Sequence, residues 1–150
     1  APRGDLKFDD WKITPTKVAS RQAMTEVSGD KCLLYAAEHL KSGELVGYTE
    51  VFWHPERAAL VYQGATGVRP DHRGQGLGKW LKAAVLLDLP AHNPAGQRLR
   101  TGNADSNAAM LGINRALGFA PVFGFTEWQG QTGELVAAAQ LKRGARDLAR

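Results

Sequence analysis

Three glycines at alternate positions, Gly74, Gly76 and Gly78, follow Arg73 and precede Lys79. Glycines so placed remove side chains where a ligand must approach the backbone. A helix starting there aims N–H donors and a partial positive charge at an anion. Arg73 can add a two-pronged donor and Lys79 a point charge. Two familiar phosphate loops do not fit. A dinucleotide fingerprint counted from Gly74 needs glycine where Lys79 stands, and a P-loop ending at Gly78-Lys79 needs Ser or Thr where Trp80 stands. A purely structural turn would also use glycine, but a strand before this loop and a periodic helix after it favour a ligand.

Other groups capable of chemistry are scattered. Glu50 is the first candidate for a general base. On an ideal strand it shares a face with Val46, Tyr48 and Phe52, and apolar company raises a carboxylate pKa. The alternative is a solvent-facing or ion-paired Glu50. Gln63 shares a face with Val61 and Ala65, and either orients substrate or water or is a hydrogen-bonded core amide. His72 beside the loop reads as exposed. Cys32, the one cysteine, lies in an apolar run and is expected to be a buried structural thiol rather than a nucleophile. His39, His54, His72 and His92 show no metal-ligand spacing, so no metal site is expected.

These groups need a frame. Residues 1–13 read as a linker-like segment, and a helix is expected from Thr14-Pro15 towards Val27, stopping at Ser28-Gly29-Asp30. Strands are expected over Lys31–Glu38, Glu44–Trp53 and Ala59–Val68, the first two joined by the turn Lys41-Ser42-Gly43. Short connections suggest an antiparallel meander. Leu77, Trp80, Leu81, Ala84, Val85 and Leu89 then recur at helical spacing until Pro90, where the helix should end. A short strand at Arg98–Thr101 precedes a helix capped by Asp105-Ser106-Asn107, with Met110, Ile113 and Leu117 inward and Gly118 at its end. Two last strands are expected over Val122–Trp128 and Glu134–Leu141. The reading is a single α/β (α+β) domain over residues 1–150 with its core at 31–141.

Composition narrows the partners. No apolar run approaches the ~20 residues needed to cross a bilayer, and residues 1–11 lack the apolar centre of a signal peptide, so a cytoplasmic home is expected. The formal charge of +4 suits an anionic ligand. The basic residues are dispersed apart from Lys142, Arg143, Arg146 and Arg150, which argues against a nucleic-acid surface.

At this point the residues resemble a known family. Val68-x-Pro70-x-x-Arg73-Gly74-Gln75-Gly76-Leu77-Gly78 is similar to the Arg/Gln-x-x-Gly-x-Gly/Ala segment of the GNAT acyltransferases, and Asn107 to Phe119 resembles their later helix with its Leu-Gly-Phe ending. The resemblance implies a mixed, mostly antiparallel sheet flanked by helices. It also implies acetyl-CoA as cofactor, its pyrophosphate held by Arg73, Gly74, Gln75, Gly76, Leu77, Gly78 and Lys79. Backbone near Gly67 and Val68 would align the pantetheine, an amide there polarising the thioester carbonyl. Asn107 would lie near the pantetheine or adenylate end.

The implied reaction is direct transfer of an acetyl group to the amine of a small molecule. Many members place a tyrosine acid where this chain has Asn114. Asparagine can donate a hydrogen bond to sulfur but cannot deliver a proton, and a surface residue without a role is the alternative. The short N-terminal region resembles the second half of a tandem protein or a domain excised from a longer chain, and a second GNAT half or a homodimer is the partner considered. The competing reading is a weak or inactive acyl-CoA-binding half. Phe123, Phe125, Glu127 and Trp128 are candidates for the acceptor wall.

Overall fold

The computed structural model describes residues 14–126 and 128–147. They divide at residue 120 into two compact units.

The first unit opens with α1 (Pro15–Ser28). Thr14 caps it by accepting from Lys17 N, and Gly29 closes it in the left-handed conformation at φ 75°. Strands β1 (Lys31–His39), β2 (Glu44–Trp53) and β3 (Leu60–Val68) follow as an antiparallel meander, and β4 (Arg98–Arg100) joins the far edge in parallel. The sheet order is β1-β2-β3-β4. Between β3 and β4 runs α2 (Leu77–His92), and α3 (Ala108–Ala116) comes after β4.

Helix α2 covers one face of the sheet. Its i, i+4 stripe Leu81, Val85 and Leu89 packs on Val46, Val51, Trp53 and Val61, with Leu33, Tyr35 and Leu99 at the margins. Each fully buried aliphatic side chain contributes roughly 1.5–3 kcal/mol. Tyr35 of β1 donates to the Asp88 carboxylate, which also meets His92 Nε2 at 3.0 Å, fastening the far end of α2 to the sheet.

Several expectations change. Trp80 is 59% exposed and stands outside the stripe. Pro90 does not end α2, which runs on to His92, where Asn93 N–H bonds Leu89 O at 2.8 Å. A proline in the last turn removes only its own bond to the fourth carbonyl back, so the turn survives. Cys32 is exposed, because the inward positions of β1 are Leu33, Tyr35 and Ala37.

In the second unit no strand forms among the described residues. Phe123, Phe125 and Trp128 are exposed and Glu127 lies outside the described residues. The segment expected as a strand at Glu134–Leu141 lies inside helix α4 (Thr132–Asp147). Leu135, three successive alanines from Ala137 and Gln140 are strong helix formers, and among the described residues no neighbouring strand offers hydrogen bonds to override them.

Candidate functional site

The loop between β3 and α2 is built as an open cradle. Pro70–His72 makes a short 3-10 turn, and Arg73 Nε donates to Val68 O at 2.9 Å, folding the arginine back along the loop. Gly74 and Gly76 stand at φ 75° and 79°, where a side chain would be strained, and a Cβ on either would meet nothing within 4 Å. The space over both is therefore free for a ligand, and α2 starts immediately after Gly76 with its first N–H groups facing that end. Gln75 and Lys79 are exposed beside it. Gly78 is tight instead: a Cβ there would lie 3.3 Å from Ile113 Cδ1 and 3.7 Å from Val68 Cγ2, so α2, α3 and β3 meet at this point. Open glycines, helix N-terminus and cationic neighbours fit a pyrophosphate.

Beside the cradle β3 has an open edge. Its pairing with β4 covers only Leu60–Tyr62, so Gln63–Val68 have no strand on that side among the described residues. An extended amide-bearing arm could lie there. Gly67 keeps the strand close to its neighbour, since a Cβ would come within 3.0 Å of the Tyr48 ring.

Glu50 lies further along, where the register of β2 on β3 shifts. Thr49 pairs Thr66 but Val51 pairs Gln63, so Gly64 and Ala65 together oppose Glu50. This is the two-against-one count of a β-bulge. The Glu50 side chain folds over Gly64, where a Cβ would stand 2.7 Å from its Cγ and Oε1. Its Oε1 accepts from Ala65 N at 3.2 Å and pairs with Arg21 Nη2 of α1 at 2.7 Å. The Glu50 side chain is 6% exposed and that of Arg21 57%. The pairing raises the Arg21 pKa.

Tyr48 and Phe52 share the Glu50 face as expected, with Phe52 stacked on Tyr62. Val46 does not. An irregularity between Ala37 and Glu38 turns it to the other face, against Ala37 and Leu81.

Gln63 is a buried, hydrogen-bonded amide. Its Nε2 donates to Thr49 Oγ1 at 3.0 Å and to Glu50 O at 2.6 Å, while its Oε1 has no partner among the described residues. Thr49 Oγ1 in turn lies 2.8 Å from Thr66 Oγ1, so the shifted register is held by a polar chain across both strands. His72 is half-buried, 3.7 Å from Asp71.

Asn107 caps α3, its Oδ1 accepting from Met110 N at 3.3 Å, and Gly118 follows the helix at φ 86°. Asn114 is buried rather than on the surface. Its Oδ1 accepts from Lys82 Nζ at 2.5 Å. Lys82 is the group that sequence reasoning missed. It is 1% exposed, its ammonium lies 5.1 Å from the centre of the Phe119 ring, and burial pushes its pKa down to about 8. The available signal was its position three residues before Val85 on the inward side of α2.

The structure thus joins Arg73–Lys79 to Val68, Glu50 to Arg21 and the bulge of β3, and Asn114 to Lys82. Glu50 and Asn114 belong to separate hydrogen-bond networks. A cavity of about 440 Å³, lined by Lys31, Cys32, Trp53, Pro55, Ala58 and His92, contains none of the expected site residues. Among the described residues no cluster of His, Cys, Asp and Glu could hold a metal, and no helix is long and apolar enough to cross a membrane.

The model of the acetyltransferase (GNAT) family matches residues 5–119. A tandem GNAT protein from the clavulanic acid biosynthesis pathway is similar at 35% identity and a TM-score of 0.68, over 71% of this chain. The chain spans 33% of that protein's length. An acetyltransferase of Trypanosoma brucei shares the fold at 18% identity and a TM-score of 0.60, covering 79% of this chain and 82% of its own. So does AAC(6')-Iy, solved with the bisubstrate analogue CoA-S-monomethyl-acetylneamine, at 17% identity and a TM-score of 0.59, covering 81% and 84%. No curated protein shows significant similarity to the chain.

Proposed function

The chain belongs to the GNAT acetyltransferase family, and on that premise we propose that it moves an acetyl group from acetyl-CoA to the amine of a small molecule by direct attack. The observation that carries the reading is the pair of left-handed glycines, Gly74 and Gly76, opening free space at the head of α2. Bound there, acetyl-CoA supplies the activated acetyl group.

The chain's own residues supply the rest. Arg73 to Lys79 hold the pyrophosphate, and Gly67 and Val68, on the open edge of β3, align the pantetheine arm. Asn107 lies towards its pantetheine or adenylate end. Glu50 takes the proton from the incoming amine, directly or through water. Arg21 and Ala65 N–H both engage Oε1, which leaves Oε2 without a partner among the described residues and able to take that proton. The acceptor belongs to the small amines, and the setting is cytoplasmic. A second GNAT half or a second copy completes the assembly, in keeping with the tandem relative.

One observation favours a second reading. Arg21 ion-pairs with one oxygen of the candidate base, as suits a binding half without turnover.

Calorimetric titration with acetyl-CoA, on the wild type and on Gly76→Trp, tests the cofactor reading. Micromolar binding that the variant loses supports it; no binding by the wild type overturns it. Release of thiol across an amine panel then separates the active enzyme from the binding half.

A further inference from the structure

The ion pair of Arg21 and Glu50 is only half used. Arg21 Nη2 and Ala65 N–H both meet Glu50 Oε1, and Oε2 has no partner among the described residues. The Arg21 guanidinium carries further N–H donors, and no second acceptor meets them among the described residues. Its side chain is largely exposed, so that free edge faces solvent. An unused acceptor and an unused donor fork thus lie side by side, joined at a contact of 2.7 Å. This is the complement of a zwitterion. An ammonium on Oε2 and a carboxylate on the guanidinium edge close a ring of alternating charge, the carboxylate in the two-pronged geometry that arginine favours. A plain monoamine satisfies half of it.

Around the pair the strand face is apolar and open. Leu34 of β1 is the Cα partner of Glu50 and Cys32 that of Phe52, and Leu34 and Cys32 are both exposed. Phe52 follows Glu50 by two residues on the same face, ~7 Å along the strand. Its ring stacks on that of Tyr62 of β3, 5.6 Å between centres and 15° from parallel, and Tyr62 is exposed. Helix α1 buries none of its own residues. The aromatic platform therefore stays uncovered among the described residues, at a spacing from Oε2 comparable with the length of phenylalanine from amine to ring.

Resting on the acetyl-transfer reading above, we infer that the acceptor is an α-amino acid with an aromatic side chain: its amine meets Glu50 Oε2, its carboxylate the free edge of Arg21, and its ring the Phe52–Tyr62 platform. The bound ammonium gives one proton to Oε2 and so to water. The amine then attacks the thioester carbon; as the C–N bond forms the C–S bond breaks, its electron pair staying on sulfur. The second proton lost by nitrogen passes through water to that sulfur, leaving the N-acetyl amino acid and the free thiol. Arg21 keeps its charge throughout.

The test follows thiol release from acetyl-CoA with three acceptors: L-phenylalanine, phenethylamine, which lacks the carboxylate, and L-alanine, which lacks the ring. The proteins compared are the wild type, Arg21→Met, Arg21→Lys and Tyr62→Ala. Melting curves and calorimetric titration of acetyl-CoA establish that each folds and holds its cofactor.

For the wild type, kcat/KM for L-phenylalanine should exceed that for either other acceptor about tenfold or more, as a charged hydrogen bond or a buried ring would give. Arg21→Met should abolish the preference over phenethylamine but not that over L-alanine, and Arg21→Lys should restore part of it. Tyr62→Ala should lose the preference over L-alanine alone. If Arg21 merely holds α1 in place, its loss slows both aromatic amines alike and their ratio stays. That unchanged ratio, or a wild type that uses phenethylamine as well as L-phenylalanine, overturns the zwitterion site and leaves acetyl transfer to amines standing. Thiol release with other amines and none with L-phenylalanine does the same. A wild type that does not bind acetyl-CoA, or binds it and releases no thiol with any amine, overturns both.

Discussion

Arg21 of α1 reaches Glu50 of β2 at 2.7 Å, an ion pair whose two members live in different solvents, the carboxylate inside and the guanidinium largely outside. The arginine holds α1 over the strand face. Arg21→Ala leaves the buried carboxylate with Ala65 N–H as its other donor. The expected loss is about 1–2 kcal/mol, less than for a fully buried pair because Arg21 is screened by water. Urea unfolding measures it, and a change within ±0.3 kcal/mol would show that the pair contributes nothing.

Glu50→Gln tests the base. The amide keeps the shape and cannot accept a proton, so kcat/KM for an accepted amine should fall about 10²- to 10⁴-fold. Acetyl-CoA affinity should hold, because Glu50 lies away from the cradle. A fall below threefold would assign the proton to water alone.

Gly64 and Glu50 constrain each other. Gly64→Ala puts a methyl 2.7 Å from Glu50 Oε1, so the carboxylate must leave Ala65 N–H. The expected destabilisation is about 1–3 kcal/mol. In a Glu50→Ala background the same change should be almost neutral. Thermal melts of the four proteins in this cycle read out the coupling, and equal costs in both backgrounds would disprove it.

Lys82 gives a pH signature. Its pKa is about 8 in the fold against an ordinary 10.5, so between those values the unfolded chain binds more protons. Stability from this group therefore rises as pH climbs from 8 to 10.5, and the full penalty, on the order of 3 kcal/mol, applies below pH 8. The melting temperature of the wild type relative to Lys82→Met should climb across that window. A constant difference would mean that water reaches the ammonium.

Much of this fold could be read from local signals. Thr14-Pro15, the Leu81-Val85-Leu89 stripe, the Asn107 cap and the glycine loop all lie where spacing and capping chemistry put them. What escaped depends on distant partners. Val46 changes face because of an irregularity opposite Ala37, which no window along β2 reveals. Lys82 is buried only because Asn114 of α3 and Phe119 just after it arrive over it, more than thirty residues later. The aromatics at Phe123 and Phe125 suit a strand by composition, yet a strand also needs a neighbour to bond with. In α4 the run of alanines was the better guide than the flanking apolar residues.

The open edge of β3 matters even when no chemistry is in progress. Among the described residues the side of β3 away from β2 carries no strand from Gln63 to Gly67, and such an edge is a template for any extended chain, including the same strand of another copy. A coenzyme lying along it would shield that template, making ligand supply a determinant of how long the protein stays in solution.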